Sequence, residues 1–111
     1  MNERYRPEDL VSFVTRLFRG AGLAEDRARA MAETFVAADL LGFTTHGMQR
    51  VPINLDWLNR GETQAAGEPR VLRDRPAAFS WDADFLPGPW VVHRAMSEAA
   101  DRARRNGIAA A

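Results

Sequence analysis

Two consecutive apolar patterns with helical spacing restrict the fold of this 111-residue chain more than any other feature. The first pattern places apolar residues at i, i+3, i+4, i+7 and i+8, namely Leu10, Phe13, Val14, Leu17 and Phe18. The second pattern, from Ala24 to Leu41, has apolar positions that can pack on the first: Ala28, Met31, Ala32, Phe35 and Val36. Gly20 and Gly22 separate the patterns, so the sequence predicts an antiparallel helical hairpin.

Residues that commonly start and stop helices support these assignments. Pro7, followed by two acidic residues, suits a first helical turn, and Gly42 is expected to close the second helix in a left-handed conformation. A third helix is predicted to start between Gln49 and Val51 and to end at Gly61. Its apolar side carries Val51, Leu55 and Leu58, with Trp57 alongside.

The sequence changes character after Gly67. Two short runs with strand composition, Arg70–Arg73 and Ala77–Trp81, flank a predicted turn at residues 74–76. A helix predicted from Trp90 to Arg105 follows a proline-rich loop. Its predicted buried side consists of Val91, Val92, Ala95, Met96, Ala99 and Ala103. The final Ile-Ala-Ala-Ala is expected to begin a further strand.

These patterns together predict an α+β chain in two parts. Residues 1–66 form a helical segment, with the hairpin and the third helix, and residues 67–111 begin an α/β domain that is incomplete. The last helix and the apolar residues after it lack further elements to pack against. We therefore interpret the chain as the N-terminal piece of a longer protein.

Composition narrows the classes of function. Fifteen basic and fifteen acidic residues balance, which argues against a nucleic-acid partner. The absence of cysteine excludes disulfides and thiolate metal sites. No apolar run reaches the roughly 18 residues of a membrane span, and the polar N-terminus does not resemble a secretory signal. We expect a cytoplasmic protein without a membrane partner.

The strongest chemical motif is Thr44-Thr45-His46-Gly47, followed by Arg50. Histidine can exchange a proton near neutral pH, and arginine can hold a carboxylate through two hydrogen bonds. Their spacing of four residues places both on one side of a helical turn. Gly47 is expected to let a ligand approach the backbone. The motif therefore suits a substrate that is a 2-hydroxy or 2-oxo acid. A loop in which Thr45 caps a helix, with His46 and Arg50 in solvent, is the alternative.

Other polar and aromatic residues have simpler interpretations. His93 is expected on the surface of the last helix, and no third ligand lies near it, so no metal site is predicted. Asp39 is expected to accept hydrogen bonds from backbone N–H groups of the turn after the second helix. Asp82 and Asp84 are interpreted as turn residues. The three tryptophans are interpreted as packing residues, and no Gly-x-Gly-x-x-Gly motif is present.

The segment ETFVAADLLGFTTHGMQRVPINLDWLNRGE, residues 33–62, resembles the malate/L-lactate dehydrogenase family that lacks a Rossmann domain. That family also includes ureidoglycolate dehydrogenases and reductases of diketogulonate and cyclic imines. Its motif is matched by Ala38, Asp39, Gly42, Thr45, His46, Gly47, Arg50 and Gly61. The strand pair and the last helix also resemble the family's next elements, so the resemblance covers nearly the whole chain.

The resemblance implies an oxidoreductase that uses NAD or NADP and acts on small 2-hydroxy or 2-oxo acids, or on related imines. It implies that the last helix opens a mixed-sheet cofactor domain and that the protein is a homodimer or a higher oligomer. By the same resemblance, His46 is the acid/base candidate, and Arg50 and Thr45 bind the carboxylate substrate. Asn54 stands where many members have tyrosine.

The family's further catalytic residues and most of its cofactor contacts lie beyond Ala111, so the chain alone is expected to be inactive. The alternative function is a stand-alone helical interaction module, whose apolar sides close on a partner.

Overall fold

The computed structural model describes residues 3–111 and contains four α-helices and a two-stranded antiparallel sheet within that range. In chain order these are α1 (Pro7–Gly20), α2 (Glu25–Leu40), α3 (Val51–Asn59), β1 (Arg70–Arg75), β2 (Ala78–Asp82) and α4 (Gly88–Asn106). Two single-turn 3₁₀ helices, Thr44–His46 and Met48–Arg50, connect α2 to α3. The α+β class is confirmed. None of the helices in residues 3–111 is both long and apolar enough to cross a membrane.

The predicted helical hairpin is present, and its core lies between α1 and α2. Val14 and Phe18 are fully buried, and the Phe18 ring stacks on the Phe35 ring with centroids 6.1 Å apart. Phe13, which the apolar pattern places on the same side of α1, is instead 48% exposed. It borders a groove that is also lined by Tyr5, Asp9, Leu10 and Met48.

The helix ends near the junction were predicted correctly. Gly42 follows α2 with φ +88°, and the N–H of Phe43 donates to the carbonyl of Ala38 at 2.8 Å. This bond closes the helix, and it requires the left-handed conformation that glycine adopts without strain. The third helix starts at Val51, as predicted, and the chain turns away at Gly61, where φ is +76°.

The turn between α2 and α3 is held by one carboxylate. Asp39 Oδ2 accepts a hydrogen bond from the N–H of Met48 at 2.9 Å, which confirms the structural role predicted for this aspartate. Gly47 packs directly on the same carboxylate, since a Cβ on Gly47 would lie 1.9 Å from Asp39 Oδ1. The interpretation of Gly47 as open space for a ligand is therefore wrong, because the Asp39 side chain fills that space.

The strand pair is confirmed, but its turn lies further along the chain than predicted. Arg75 pairs with Ala78, so the turn consists of Pro76 and Ala77 rather than residues 74–76. A register irregularity between Val71 and Arg73 adds a residue to the first strand. Proline has no N–H to donate to the ladder, so it suits the turn and not the last strand pair.

Helix α4 buries only part of the side that was predicted, since Val91, Ala95, Ala99 and Ala103 are buried or partly buried. Trp90 and Ala99 are buried as core residues, whereas Val92 and Met96 are 61% and 59% exposed. The arginines of α4 cover the sheet instead: the Arg102 guanidinium lies 4.5 Å from the Phe79 ring centroid. Long arginine side chains can cover apolar surface in this way.

The last residues begin the expected further strand. Ala110 forms a parallel bridge with Ala78, in which its N–H donates to the Ala77 carbonyl and its carbonyl accepts from the Phe79 N–H. The two distances are 2.8 Å and 3.0 Å. A parallel neighbour therefore lies beside β2 after α4.

A buried arginine connects the two halves of the chain. Arg27 on α2 is only 9% exposed, and its Nη2 donates to the Gly67 carbonyl at 2.6 Å and to Glu68 Oε1 at 3.1 Å. Its guanidinium carbon lies 3.9 Å from the Trp90 ring centroid, and Arg94 of α4 holds the other Glu68 oxygen. The hairpin, the connecting segment and the start of α4 are joined at this point.

Replacement of Gly47 with alanine is expected to lower the free energy of unfolding by about 1–3 kcal/mol, because the new Cβ displaces the Asp39 carboxylate from the Met48 N–H. Chemical denaturation followed by circular dichroism measures the change. Gly20→Ala is the matched control, because no atom lies within 4 Å of the added Cβ there. Equal stability of the two variants would contradict the prediction.

Replacement of Arg27 with alanine is expected to destabilise the fold by about 2–4 kcal/mol, because it removes the hydrogen bond to the Gly67 carbonyl, the buried stem of Arg27 and the cation that stacks on Trp90. The control is Arg29→Ala on the same helix, which removes an exposed pair with Glu33. That loss is expected within about 0.5 kcal/mol. Denaturation of both variants tests the prediction, and similar losses would disprove it.

Candidate functional site

A surface cleft of roughly 390 Å³ lies between the junction before α3 and the segment that leads into α4. One wall is helical and consists of His46, Arg50, Asn54 and Trp57. The other wall is the segment from Phe85 to Pro89. Phe35 of the hairpin core, Glu62 and Thr63 complete the lining. The cleft thus lies where the two halves of the chain meet.

The helical wall arises from the residue spacing. His46, Arg50 and Asn54 are four residues apart, so the two 3₁₀ helices and the first turns of α3 present them on one side. Val51 is buried in the core and anchors the start of α3. His46 and Arg50, which the motif predicted to lie together, do line the same cleft, and both are exposed to solvent.

Thr45 does not line the cleft itself. Its Oγ1 lies 3.0 Å from Nδ1 of His46, a hydrogen-bonding distance. Thr45 lies inside the first 3₁₀ helix and makes no capping bond to α3, so the alternative of a helix-capping threonine is wrong. The hydroxyl can instead orient the imidazole, which leaves Nε2 for a ligand.

Arg50 brings a cation to the cleft. No carboxylate of residues 3–111 pairs with its guanidinium, whose carbon lies 5.9 Å from the Trp57 ring centroid. Its main-chain carbonyl accepts from Asn54 Nδ2 at 2.8 Å, which holds the Asn54 side chain on this wall. The guanidinium can therefore bind an anion that enters the cleft.

The second wall has a strained backbone. Asp84 and Phe85 have φ of +50° and +61°, which is uncommon for residues other than glycine and more so for a bulky one. The Phe85 carbonyl accepts from the Gln64 N–H at 2.8 Å, and Leu86 is buried in the core beneath it. These contacts keep Phe85 at the cleft although its side chain is 75% exposed.

Asp82 stabilises the same turn. Its Oδ1 accepts from the Asp84 N–H at 2.9 Å, and its Oδ2 accepts from Arg70 at 2.9 Å. These bonds, the backbone bond first, lower the pKa of the Asp82 carboxyl below its ordinary value. The interpretation of Asp82 as a turn residue is confirmed.

Sequence reasoning missed the second wall. Phe85, Glu62 and Thr63 were not among the predicted site residues, and the segment around Gly88 was interpreted only as a loop. Its prolines do mark a loop, but no pattern places it opposite His46. His93 is exposed on α4 and does not line this cleft, as expected. In residues 3–111, no three histidine or acidic side chains gather as a metal site.

The cleft suits a small carboxylate better than a whole dinucleotide. Helix α4 starts at the cleft, but Pro87 and Pro89 have no N–H groups, so this end offers few donors for phosphates. The described residues thus provide a proton-exchanging group and an anion-binding group, without an evident pyrophosphate site.

Comparison with known proteins identifies the family. The malate/L-lactate dehydrogenase family model matches residues 5–111. Malate dehydrogenase of Pyrococcus horikoshii is 34% identical over 103 residues, which are 92% of this chain and 29% of that protein. Hydroxycarboxylate dehydrogenase B of Escherichia coli K12 is 30% identical over 96% of this chain and 30% of its own length.

Solved structures show the same likeness. The structure of the Pyrococcus horikoshii enzyme matches with a TM-score of 0.91 and 32% identity, over 96% of this chain and 31% of that one. Sulfolactate dehydrogenase from Methanocaldococcus jannaschii matches with a TM-score of 0.83 and 30% identity, over 89% and 29% of the two chains. The chain thus spans about 30% of the length of these relatives. It belongs to the malate/L-lactate dehydrogenase family.

Proposed function

We propose that the chain is the N-terminal part of an NAD(P)-dependent oxidoreductase that interconverts small 2-hydroxy and 2-oxo acids, or related imines. The observation that carries this proposal is the cleft wall on which His46 and an unpaired Arg50 lie together. The relatives support it, since they are named as malate, sulfolactate and hydroxycarboxylate dehydrogenases.

In the proposed mechanism, Arg50 binds the substrate carboxylate through its planar guanidinium. His46 exchanges a proton with the substrate oxygen or nitrogen through Nε2, and Thr45 orients the ring through Nδ1. A nicotinamide cofactor would supply the hydride chemistry. Because the cleft offers few phosphate donors, we propose that most cofactor contacts belong to the part of the relatives' length that this chain does not span. The chain alone is then inactive.

We also propose that residues 1–66 form a helical segment and that residues 67–111 open the mixed-sheet cofactor domain. The parallel bridge at Ala110 supports this division, because it starts a strand beside β2 after the α4 crossover.

We further propose a cytoplasmic homodimer or higher homo-oligomer. The oligomer is supported by an apolar surface at the end of α2, which consists of the exposed residues Leu40, Leu41 and Phe43.

The same apolar surface favours a second candidate function, a helical interaction module without catalytic activity. Light scattering and a titration with L-lactate, both on the 111-residue chain and its Arg50→Gln variant, separate the two. A folded dimer whose cleft binds no 2-hydroxy acid favours the module, whereas carboxylate binding that depends on Arg50 favours the oxidoreductase.

The test of His46 uses a chimera in which residues 5–111 replace the matching part of the Pyrococcus horikoshii malate dehydrogenase. In this chimera, His46→Ala is expected to lower kcat about 100-fold or more, because the proton-exchanging group is lost. His93→Ala is the matched control and should leave kcat unchanged, since His93 lies on α4 outside the cleft. Full turnover by the His46→Ala chimera would remove the acid/base role.

Arg50→Gln in the same chimera is expected to raise KM for the hydroxy acid by about tenfold or more, because a charge-assisted, two-pronged contact is lost. Steady-state kinetics measures it. Arg73→Gln on the exposed strand β1 is the control of equal charge change. An unchanged KM in the Arg50→Gln chimera would show that the carboxylate binds elsewhere.

A further inference from the structure

The two residues proposed to act on the substrate lie on separate single-turn helices. His46 ends the first 3₁₀ helix, Arg50 ends the second, and Gly47 is the residue between them. The Gly47 N–H donates to the Thr44 carbonyl of the first helix at 3.2 Å, and the Gly47 carbonyl accepts from the Arg50 N–H of the second at 2.9 Å. A single 3₁₀ turn has few hydrogen bonds of its own, so contacts from outside decide how two such turns are oriented.

The carboxylate of Asp39 contacts both sides of this joint. Its Oδ2 accepts from the N–H of Met48, the first residue of the second 3₁₀ helix, at 2.9 Å. Gly47 is buried, and the three atoms nearest to a Cβ added there are all in the Asp39 carboxyl group, at 1.9, 2.3 and 2.7 Å. Because Asp39 belongs to α2, its carboxylate fastens the joint to the helical hairpin.

The bond to Met48 is directional as well as close. Met48 starts a helical run that continues through the second 3₁₀ helix into α3. The first N–H groups of a helix carry partial positive charge, so a carboxylate that accepts from them is favourable, and such a charge-assisted bond is stronger than a neutral one. The bond therefore sets where the run that carries Arg50 begins.

We infer that Asp39 is a positioning residue for the hydroxy-acid reaction, whose carboxylate, packed against Gly47, fixes the separation of the His46 imidazole and the Arg50 guanidinium. Asp39 is not among the residues that line the cleft, so it acts through Gly47 and the N–H of Met48. The inference rests on the proposed function, which assigns proton exchange to His46 and carboxylate binding to Arg50. A displacement of about 1 Å at the reacting groups can slow an enzyme about 100-fold.

The experiment measures turnover of L-malate by the chimera described above. Asp39→Ala is expected to lower kcat about tenfold or more and to raise KM about fivefold or more, because the proton-exchanging and anion-binding groups both lose their placement. Asp39→Asn keeps the shape and an oxygen that accepts from Met48, so it should restore both constants to within about threefold. Glu33→Ala removes an exposed carboxylate from the same helix and is the control that should change neither.

The rise in KM distinguishes positioning from stability. A variant that is only less stable has fewer folded molecules, which lowers the apparent kcat and leaves KM unchanged. Asp39→Glu is a second variant that retains the charge and moves the carboxylate by one methylene group, so it should also raise KM about fivefold. Circular dichroism of each chimera at the assay temperature measures the folded fraction.

A double variant tests whether Asp39 and Gly47 act as one unit. Gly47→Ala alone should lower kcat about tenfold, because the new Cβ displaces the carboxylate. In the Asp39→Ala background the three atoms that this Cβ would meet are gone, so Gly47→Ala should lower kcat by no more than about twofold further. Fully multiplicative losses would contradict the shared role.

The outcomes separate the positioning role from the proposed function. If the Asp39→Ala and Asp39→Glu chimeras keep an unchanged KM while His46→Ala and Arg50→Gln have their expected effects, the positioning role is overturned and the proposed function stands. If neither His46→Ala nor Arg50→Gln has its expected effect, both are overturned.

Discussion

The buried guanidinium of Arg27 is the interaction on which the arrangement of the whole chain depends. It joins α2 to the connecting segment at Gly67 and Glu68 and stacks on Trp90 near the start of α4. Burial of a cation is unfavourable unless hydrogen bonds and a partner charge compensate, and here Nη2 has both, whereas the buried Nη1 has no hydrogen-bond partner among the described residues. Because the segment from Phe85 to Pro89 runs directly into α4, the same contact places the second wall of the cleft against the first.

The first wall depends on a smaller contact of the same kind. The carboxylate of Asp39, near the end of α2, accepts a hydrogen bond from the N–H of Met48 and occupies the space beside Gly47. The chain therefore turns sharply after α2, and His46 and Arg50 emerge on the cleft side. In this motif the glycine is required by the neighbouring aspartate and not by a ligand. Two residues that contact no substrate thus set the direction of those proposed to do so.

Strain and exposure are concentrated on the wall opposite His46. The left-handed residues Asp84 and Phe85 are kept in place by Asp82, by Gln64 and by the buried Leu86, so that the surrounding structure compensates for an unfavourable local conformation. Such a conformation has no signature in the sequence, since glycine usually marks it and none stands there. For this reason, half of the cleft could not be predicted.

Sequence alone determined the features that depend on local periodicity and on single residues. The hairpin, the start of α3 and the glycine cap of α2 were predicted correctly, because helical spacing and the left-handed preference of glycine act within a few residues. The sequence also brought His46 and Arg50 to one side through their spacing. Only the tertiary structure decided that Val92 and Met96 of α4 stay exposed and which loop faces His46. Those outcomes depend on arginine stems and buried contacts between residues distant in the chain, such as Arg27 and Trp90, and no local pattern records them.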